Sequence, residues 1–253
     1  MRKYQLAVAL LIAGTLVRAG AQPTVSLNIA TEYSPPTSML SGARVVGSAT
    51  DKIREAMARA GVSYTIALLP WKRAYGAALQ RPDACVYSTT RTPERESLFK
   101  WVGPTDEGEW VLLGRADRKY KLQTLDDARA LRIGTYNGDA RDEYLRARGF
   151  LVDPAPNDYI NQKKLMMNRI DLWAAALRRG SAVLAANGWS DQIVPVLTFN
   201  RIKVYLACNP AVPDHVIEKL NNALEAMLRD GTSRKLNRKY DTWVESKNAA
   251  PPQ

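Results

Sequence analysis

The order of strand-like and helix-like segments is the feature that most restricts the fold of this chain. Short apolar strands at residues 25–30, 63–68 and 83–87 are separated by helical patterns at residues 51–60 and 71–79. Strands that alternate with helices form parallel sheets whose faces the helices cover. The first half therefore predicts a β-α-β-α-β unit, in which Thr50 or Asp51 caps the first helix.

The same order recurs in the second half of the chain, which predicts two lobes of similar α/β design. Asp139 is placed to cap a helix there, and Gly149 to end it. The second half comprises a strand at 131–135, a helix at 140–148, a strand at 150–152, a helix at 158–168 and an apolar run after Asp171.

The division of the chain between the lobes follows from core size. If the C-terminal strand (residues 202–207) and helices belonged to the second lobe, the first lobe would keep only three strands and two helices. Returning them to the first lobe balances the two cores. We therefore expect lobe one at residues 22–106 plus 201–253 and lobe two at residues 107–200, joined by two hinge crossings.

The first 21 residues predict a secretory signal peptide. Arg2 and Lys3 precede an apolar run at residues 6–17, and small residues follow at 19–21. Twelve helical residues span roughly 18 Å, which is short of the ~30 Å hydrocarbon core of a bilayer. We expect cleavage after Ala21 and export to an oxidising compartment, where cysteines can pair.

Composition excludes several classes of protein. The chain has 36 Lys+Arg against 25 Asp+Glu, a net charge of +11 that suits anionic partners. An exported chain seldom meets nucleic acid, so we expect no nucleic-acid partner. One histidine, His215, and two cysteines are too few for a zinc ribbon or a Cys/His cluster. They also exclude a Ser-His-Asp triad unless His215 is its base, and we expect neither metal nor cofactor.

Residues 83–96, with the sequence DACVYSTTRTPERE, resemble the D-A-(apolar)-(apolar)-x-S-x-(S/T)-x-T-x-x-R motif of the bacterial periplasmic solute-binding proteins, amino-acid type (family 3). Residues 99–104 (FKWVGP) resemble the segment that leads to the first hinge of that family. The resemblance covers nearly the whole mature chain. It implies the two-lobed type II periplasmic binding fold, which closes around a small solute and delivers it to the permease subunits of an ABC transporter. We expect a periplasmic monomer.

Three residues of this motif are candidates for binding a ligand carboxylate. The guanidinium of Arg95 can bind a carboxylate through two N–H groups, and the resemblance implies the same role. Ser88 and Thr90 end a parallel strand, where the ligand sites of open α/β sheets collect. The alternatives are that Arg95 pairs with a neighbouring glutamate on a helix surface and that the two hydroxyls cap a turn.

Aromatic residues and the start of a lobe-two helix complete the predicted site. We expect Tyr33 and Trp71 to form walls for the carbon skeleton of the ligand, unless they are core aromatics. Asp139 either caps its helix or replaces the amine-binding carboxylate of the family. In the second case Tyr136 lies beside it and the Ala140 amide points into the cleft.

The chain departs from the family pattern at two places. Where a lobe-two aspartate often holds the amino group of a ligand, residues 171–176 have the sequence DLWAAA. Near the loop after the first strand, the nearest carboxylate is Glu32. Both departures count against an α-amino-acid ligand. Trp173 in this run either lines the pocket or belongs to the core.

The predicted function is therefore that of an exported receptor for a small polar, carboxylate-bearing and amino-acid-like solute, not of an enzyme. The alternative is a dehydratase or hydrolase on the same fold, with Glu32 or Asp139 as acid/base. That activity needs a cleft acid with a shifted pKa, and the sequence shows no nucleophile–base pair. A sensory domain, a third class, needs a transmembrane helix or a kinase region that the sequence does not show.

A disulfide between Cys85 and Cys208 is the last prediction, and it rests on the resemblance. In the resembling fold the strand at residues 202–207 returns antiparallel beside the strand at 83–87. An early position on one strand then lies opposite a late position on the other, at a Cα separation that a disulfide tolerates. The alternative is two buried, unpaired thiols.

Overall fold

The computed structural model describes residues 26–177, 188–189 and 191–241. The predicted signal peptide at residues 1–21 lies outside them. Within the described residues, no helix has the length and apolar character needed to cross a membrane.

Ten strands and six helices form the described part of the chain. The strands are β1 (Ser26–Thr31), β2 (Met39–Ser41), β3 (Arg44–Val46), β4 (Ser63–Leu68), β5 (Ala84–Thr90), β6 (Lys100–Arg115), β7 (Ile133–Tyr136), β8 (Val152–Ala155), β9 (Leu172–Leu177) and β10 (Ile193–Cys208). The helices are α1 (Ser48–Ala60), α2 (Trp71–Gln80), α3 (Ala140–Ala147), α4 (Tyr159–Met166), α5 (Asp214–Arg229) and α6 (Thr232–Arg238), with 3₁₀ helices at Pro93–Leu98 and Leu125–Ala128.

Eight strands form one sheet in the order β4-β1-β5-β10-β6-β9-β7-β8. At one end β1 pairs in parallel with β4 and β5, and at the other β7 pairs in parallel with β8 and β9. We call the first end, with α1, α2, α5 and α6, lobe one, and the second end, with α3 and α4, lobe two. The predicted two-lobed α/β fold is confirmed.

The two central strands connect the lobes. Each of β6 and β10 is 16 residues long, and they pair antiparallel from Ile193↔Arg115 to Cys208↔Lys100. The sequence predicted the second of these strands only at residues 202–207, and the charged and Gly-Pro segments before Trp110 break the apolar pattern of the first. The ladder continues through those segments with register shifts. The predicted lobe boundaries fall inside these two strands and stay a prediction.

Two other elements differ from the expected bounds for clear physical reasons. Strand β8 begins at Val152, not at residue 150, and contains Pro154. Proline is tolerated there because β8 is an edge strand. Residues 150–152 were expected to form this strand because they are the apolar part of the segment.

Helix α1 starts before the predicted cap at Thr50 or Asp51. Its N-cap is Gly47, at φ 132°, where a Cβ would lie 2.3 Å from the Thr37 carbonyl oxygen. That carbonyl accepts from the amides of Ala49 and Thr50 at 3.1 and 3.3 Å. The preceding loop thus satisfies the helix N-terminus, and the prediction of a side-chain cap was wrong.

The core of lobe one lies between the sheet and helices α1 and α5. It includes Ile29, Ile53, Met57 and Leu220, all at most 1% exposed. Cys85 of β5 and Cys208 of β10 lie opposite each other in the ladder and form the predicted disulfide, with a Cα–Cα distance of 4.0 Å. The bond ties the parallel part of lobe one to a crossing strand.

Candidate functional site

The candidate site lies where the two lobes face each other, beyond the carboxyl ends of β1 and β7. Glu32 directly follows β1, and Tyr136 is the last residue of β7. The Tyr136 hydroxyl donates to Glu32 Oε1 at 2.8 Å, so these two strand ends are bonded across the cleft. Ligand sites of open α/β sheets form at this edge.

Trp71 is a contact between the lobes as well as a buried aromatic. It opens α2 after Pro70 and is 7% exposed. Its indole N–H donates to the Gly138 carbonyl of lobe two at 2.8 Å, while its ring lies 5.5 Å from that of Tyr75. Gly138 turns the chain from β7 into α3 at φ 75°, in the left-handed region that favours glycine.

Arg95 is buried in the same cleft. It lies in the 3₁₀ helix after β5 and is 2% exposed. Its Nε donates to Glu143 Oε2 at 3.0 Å, and Nη2 donates to the Gly138 carbonyl at 3.2 Å. The guanidinium also lies 4.8 Å from the centre of the Tyr75 ring. The pairing expected from a helix-surface arginine is made instead by Arg91, which contacts Glu96.

Asp139 caps α3 and pairs with a buried arginine. Its Oδ1 accepts from the Arg141 amide at 2.9 Å and from Arg141 Nε at 2.6 Å. Arg141 Nη2 donates to Asp158 Oδ2 at 3.0 Å, and Nη1 donates to the Ala174 carbonyl at 3.0 Å. The N-cap interpretation of Asp139 is thus observed, and one guanidinium binds two carboxylates beside the cleft.

Glu32 is an acid with a strongly shifted pKa. Burial raises its pKa to about 8, and the nearby Asp139 and Asp158 carboxylates act in the same direction. The hydrogen bond from Tyr136 and the charge of Arg141 oppose the shift. Burial likewise raises the pKa of the Tyr136 hydroxyl well above its ordinary value. Glu32 therefore carries a proton at neutral pH when the lobes are in contact.

The other four predicted site residues have the following surroundings. Ser88 lies inside β5 at φ 61°, and its buried Oγ has no hydrogen-bond partner among the described residues. Thr90 pairs with Val204 of β10. Ala140 packs in an apolar cluster with Trp110. The Tyr33 ring lies 6.0 Å from the Tyr159 ring of lobe two.

Three further charged residues of the site, Arg141, Glu143 and Asp158, were missed from the sequence. Glu143 lies one helical turn after Asp139 and therefore on the same face of α3, which is the signal that was available. Asp158 precedes α4 and accepts from the indole N–H of Trp173 at 2.7 Å. Trp173 packs in the lobe-two core with Leu165, so it belongs to the core and its N–H reaches the site. In the described part of the chain, no three His, Cys, Asp or Glu side chains are grouped to hold a metal ion.

Comparison with known proteins identifies the family of this chain. The model of the bacterial extracellular solute-binding proteins, family 3, matches residues 27–242. The chain belongs to this family. This solute-binding protein is also similar to ABC transporter arginine-binding protein 1 of Escherichia coli (strain K12), with 26% identity over 250 residues that cover 94% of this chain and 98% of the relative.

Solved structures share the fold of this solute-binding protein. A histidine kinase sensor domain with similarity to periplasmic binding proteins matches with a TM-score of 0.78 at 15% identity, covering 87% of this chain and 97% of that one. The P235GK mutant of ArgBP from T. maritima matches with a TM-score of 0.74 at 18% identity, covering 87% and 96%. At these identities the likeness concerns the fold alone.

Proposed function

We propose that this solute-binding protein is exported to the periplasm, closes around a small carboxylate-bearing solute and presents it to the permease subunits of an ABC transporter. The observation that carries the proposal is Arg95, a buried guanidinium in the cleft between the lobes. A guanidinium out of contact with bulk water binds a carboxylate strongly and through a defined geometry. Trp71 and Tyr75, beside it, supply apolar surface for a carbon skeleton.

The acidic groups of the cleft favour a solute that also carries a positive charge. Arg141 pairs with Asp139 and Asp158, and Arg95 pairs with Glu143, whereas the Glu32 carboxyl accepts from the uncharged Tyr136 hydroxyl. A cation beside Glu32 would stabilise its ionised form and so offset the effect of burial. Since the E. coli relative is named for arginine, L-arginine is the first compound to test.

The structure meets one requirement of the dehydratase or hydrolase alternative, because Glu32 is a cleft acid with a raised pKa. A raised pKa is equally expected of a buried carboxyl that binds a cationic ligand. The family match and the arginine-binding relative favour the binding function.

The first prediction concerns Arg95. Loss of a buried charge-assisted pair costs on the order of 2–5 kcal/mol, so Arg95→Ala should weaken binding of L-arginine at least about thirtyfold. Arg95→Lys should also weaken it, because an ammonium cannot reproduce the guanidinium geometry. Isothermal titration calorimetry of the mature protein measures both.

The matched control is Arg91→Ala. Arg91 belongs to the same motif but pairs with Glu96 outside the cleft and lies over the Trp101 and Tyr205 rings. This variant should bind L-arginine with the affinity of the wild type. Equal affinity of Arg95→Ala and the wild type would refute the role of Arg95.

A further inference from the structure

The carboxylate of Glu143, from lobe two, contacts the Arg95 guanidinium of lobe one. Glu143 Oε2 accepts from Arg95 Nε at 3.0 Å and forms an ion pair with Nη2 at 2.9 Å. Nε and Nη2 of Arg95 therefore converge on one carboxylate oxygen, Oε2, in a charge-assisted ion pair. The protein thus supplies from lobe two the same chemical group that Arg95 is proposed to take from the solute.

The two partners differ in their access to solvent. The side chain of Arg95 is 2% exposed, whereas that of Glu143 is 42% exposed. If the lobes separate, Glu143 moves with α3 and water can replace Arg95 as the partner of its carboxylate. Burial raises the pKa of the Glu143 carboxyl, and the charges of Asp139, the N-cap of α3, and of Asp142 act in the same direction, while the ion pair with Arg95 opposes them. Glu143 is therefore a partner that Arg95 can exchange.

We propose that Glu143 is an internal competitor of the solute carboxylate: it holds the ligand-free lobes together through Arg95 and must be displaced before the solute binds. This inference rests on the proposed role of Arg95 in solute binding. A protein whose binding-competent form is only a fraction of the population shows an affinity reduced by that fraction. Glu143 thereby sets how tightly a carboxylate-bearing solute is held.

The test uses the mature protein and the variants Glu143→Gln and Glu143→Ala. The matched control is Glu218→Gln, because Glu218 is an exposed glutamate of α5. Small-angle scattering compares the radius of gyration without ligand. Calorimetry then measures two probes, L-arginine and agmatine, which is arginine without its carboxylate.

We expect the ligand-free Glu143 variants to have a larger radius of gyration than the wild type and Glu218→Gln. L-arginine should bind the variants about tenfold tighter than it binds the wild type. Agmatine has no carboxylate and does not displace Glu143 from Arg95. The affinity of the variants for agmatine should therefore differ from that of the wild type by less than about threefold. A gain confined to the carboxylate-bearing probe is what competition for Arg95 requires.

Two results would overturn the inference. An unchanged radius of gyration with unchanged affinity for L-arginine would mean that Glu143 does not compete. Weaker binding of both probes would mean that Glu143 contacts the positive group of the solute instead. Failure of the proposed function is distinct, since it shows as undiminished affinity of Arg95→Ala. If the wild type binds neither probe, the ligand-free scattering alone decides whether Glu143 holds the lobes together.

Discussion

At the scale of single residues, the proton on Glu32 links stability to pH. Its pKa is raised from 4.5 to about 8 by burial and by the neighbouring carboxylates. Between these two values the unfolded chain has released this proton and the folded chain retains it. The free energy of unfolding therefore falls as pH rises through this window, by at most about 1.4 kcal/mol per pH unit, and levels off above pH 8.

Glu32→Gln should remove this pH dependence. A glutamine keeps an oxygen that accepts from Tyr136 and carries no titrating proton. Urea unfolding at pH 5, 6.5 and 8 should show the variant gaining stability relative to the wild type as pH rises. Glu218→Gln serves as the control and should follow the wild type. Parallel curves for the wild type and Glu32→Gln would show that Glu32 titrates normally.

The sequence drew attention to Arg95 and Asp139 but not to the residues that they contact. The motif containing Arg95 and the turn at Asp139 were recognisable because their spacing along the chain is local. Glu143 lies 48 residues from Arg95, and Tyr136 lies 104 residues from Glu32. Contacts over such distances depend on how the lobes meet, which no local pattern encodes.

At the scale of elements, the pairing of β5 with β10 was predictable once the topology was known from the family resemblance. The length of β6 and β10 was not predictable from the sequence, because Gly103, Pro104 and the charged residues after them favour a loop. They remain in strand geometry since β10 pairs with β6 on both sides of them, at Val102 and at Asp106, with a register shift between. Tertiary pairing overrides local propensity here.

The disulfide between these elements should contribute strongly to stability. Its sequence separation is 123 residues, and closing so long a loop stabilises by about 4–5 kcal/mol in the chain-entropy model. The double variant Cys85→Ala/Cys208→Ala should lose most of this amount in urea unfolding at pH 7. The wild type measured in reducing buffer is the matched comparison.

Thiol counting on denatured, unreduced protein gives an independent check. We expect no free thiol in the wild type, because the structure pairs both cysteines of the chain. Two free thiols would contradict the register of β5 and β10. Unchanged stability of the double variant would contradict only the chain-entropy argument.

At the scale of the whole molecule, the lobes are connected by two strands and by contacts that a solute must break. Trp71, Arg95 and Glu32 of lobe one all bond to lobe two. We therefore expect entry of a solute to involve rotation about β6 and β10, while each lobe keeps its own sheet and helices. Such hinge motion is the usual response of two-lobed binding proteins.

Single-molecule FRET should detect this rotation. Both native cysteines are in the disulfide, so Lys219→Cys on exposed α5 and Met167→Cys after α4, 59% exposed, introduce one dye site on each lobe. Saturating L-arginine should collect the molecules in one high-efficiency population, because the solute bridges the lobes. With Arg95→Ala added, the same shift should require at least about thirtyfold more L-arginine. The shift should be largest with Glu143→Gln, whose ligand-free lobes lack the internal contact. Identical distributions with and without L-arginine, in a protein that calorimetry shows to be saturated, would exclude closure as the mechanism of binding.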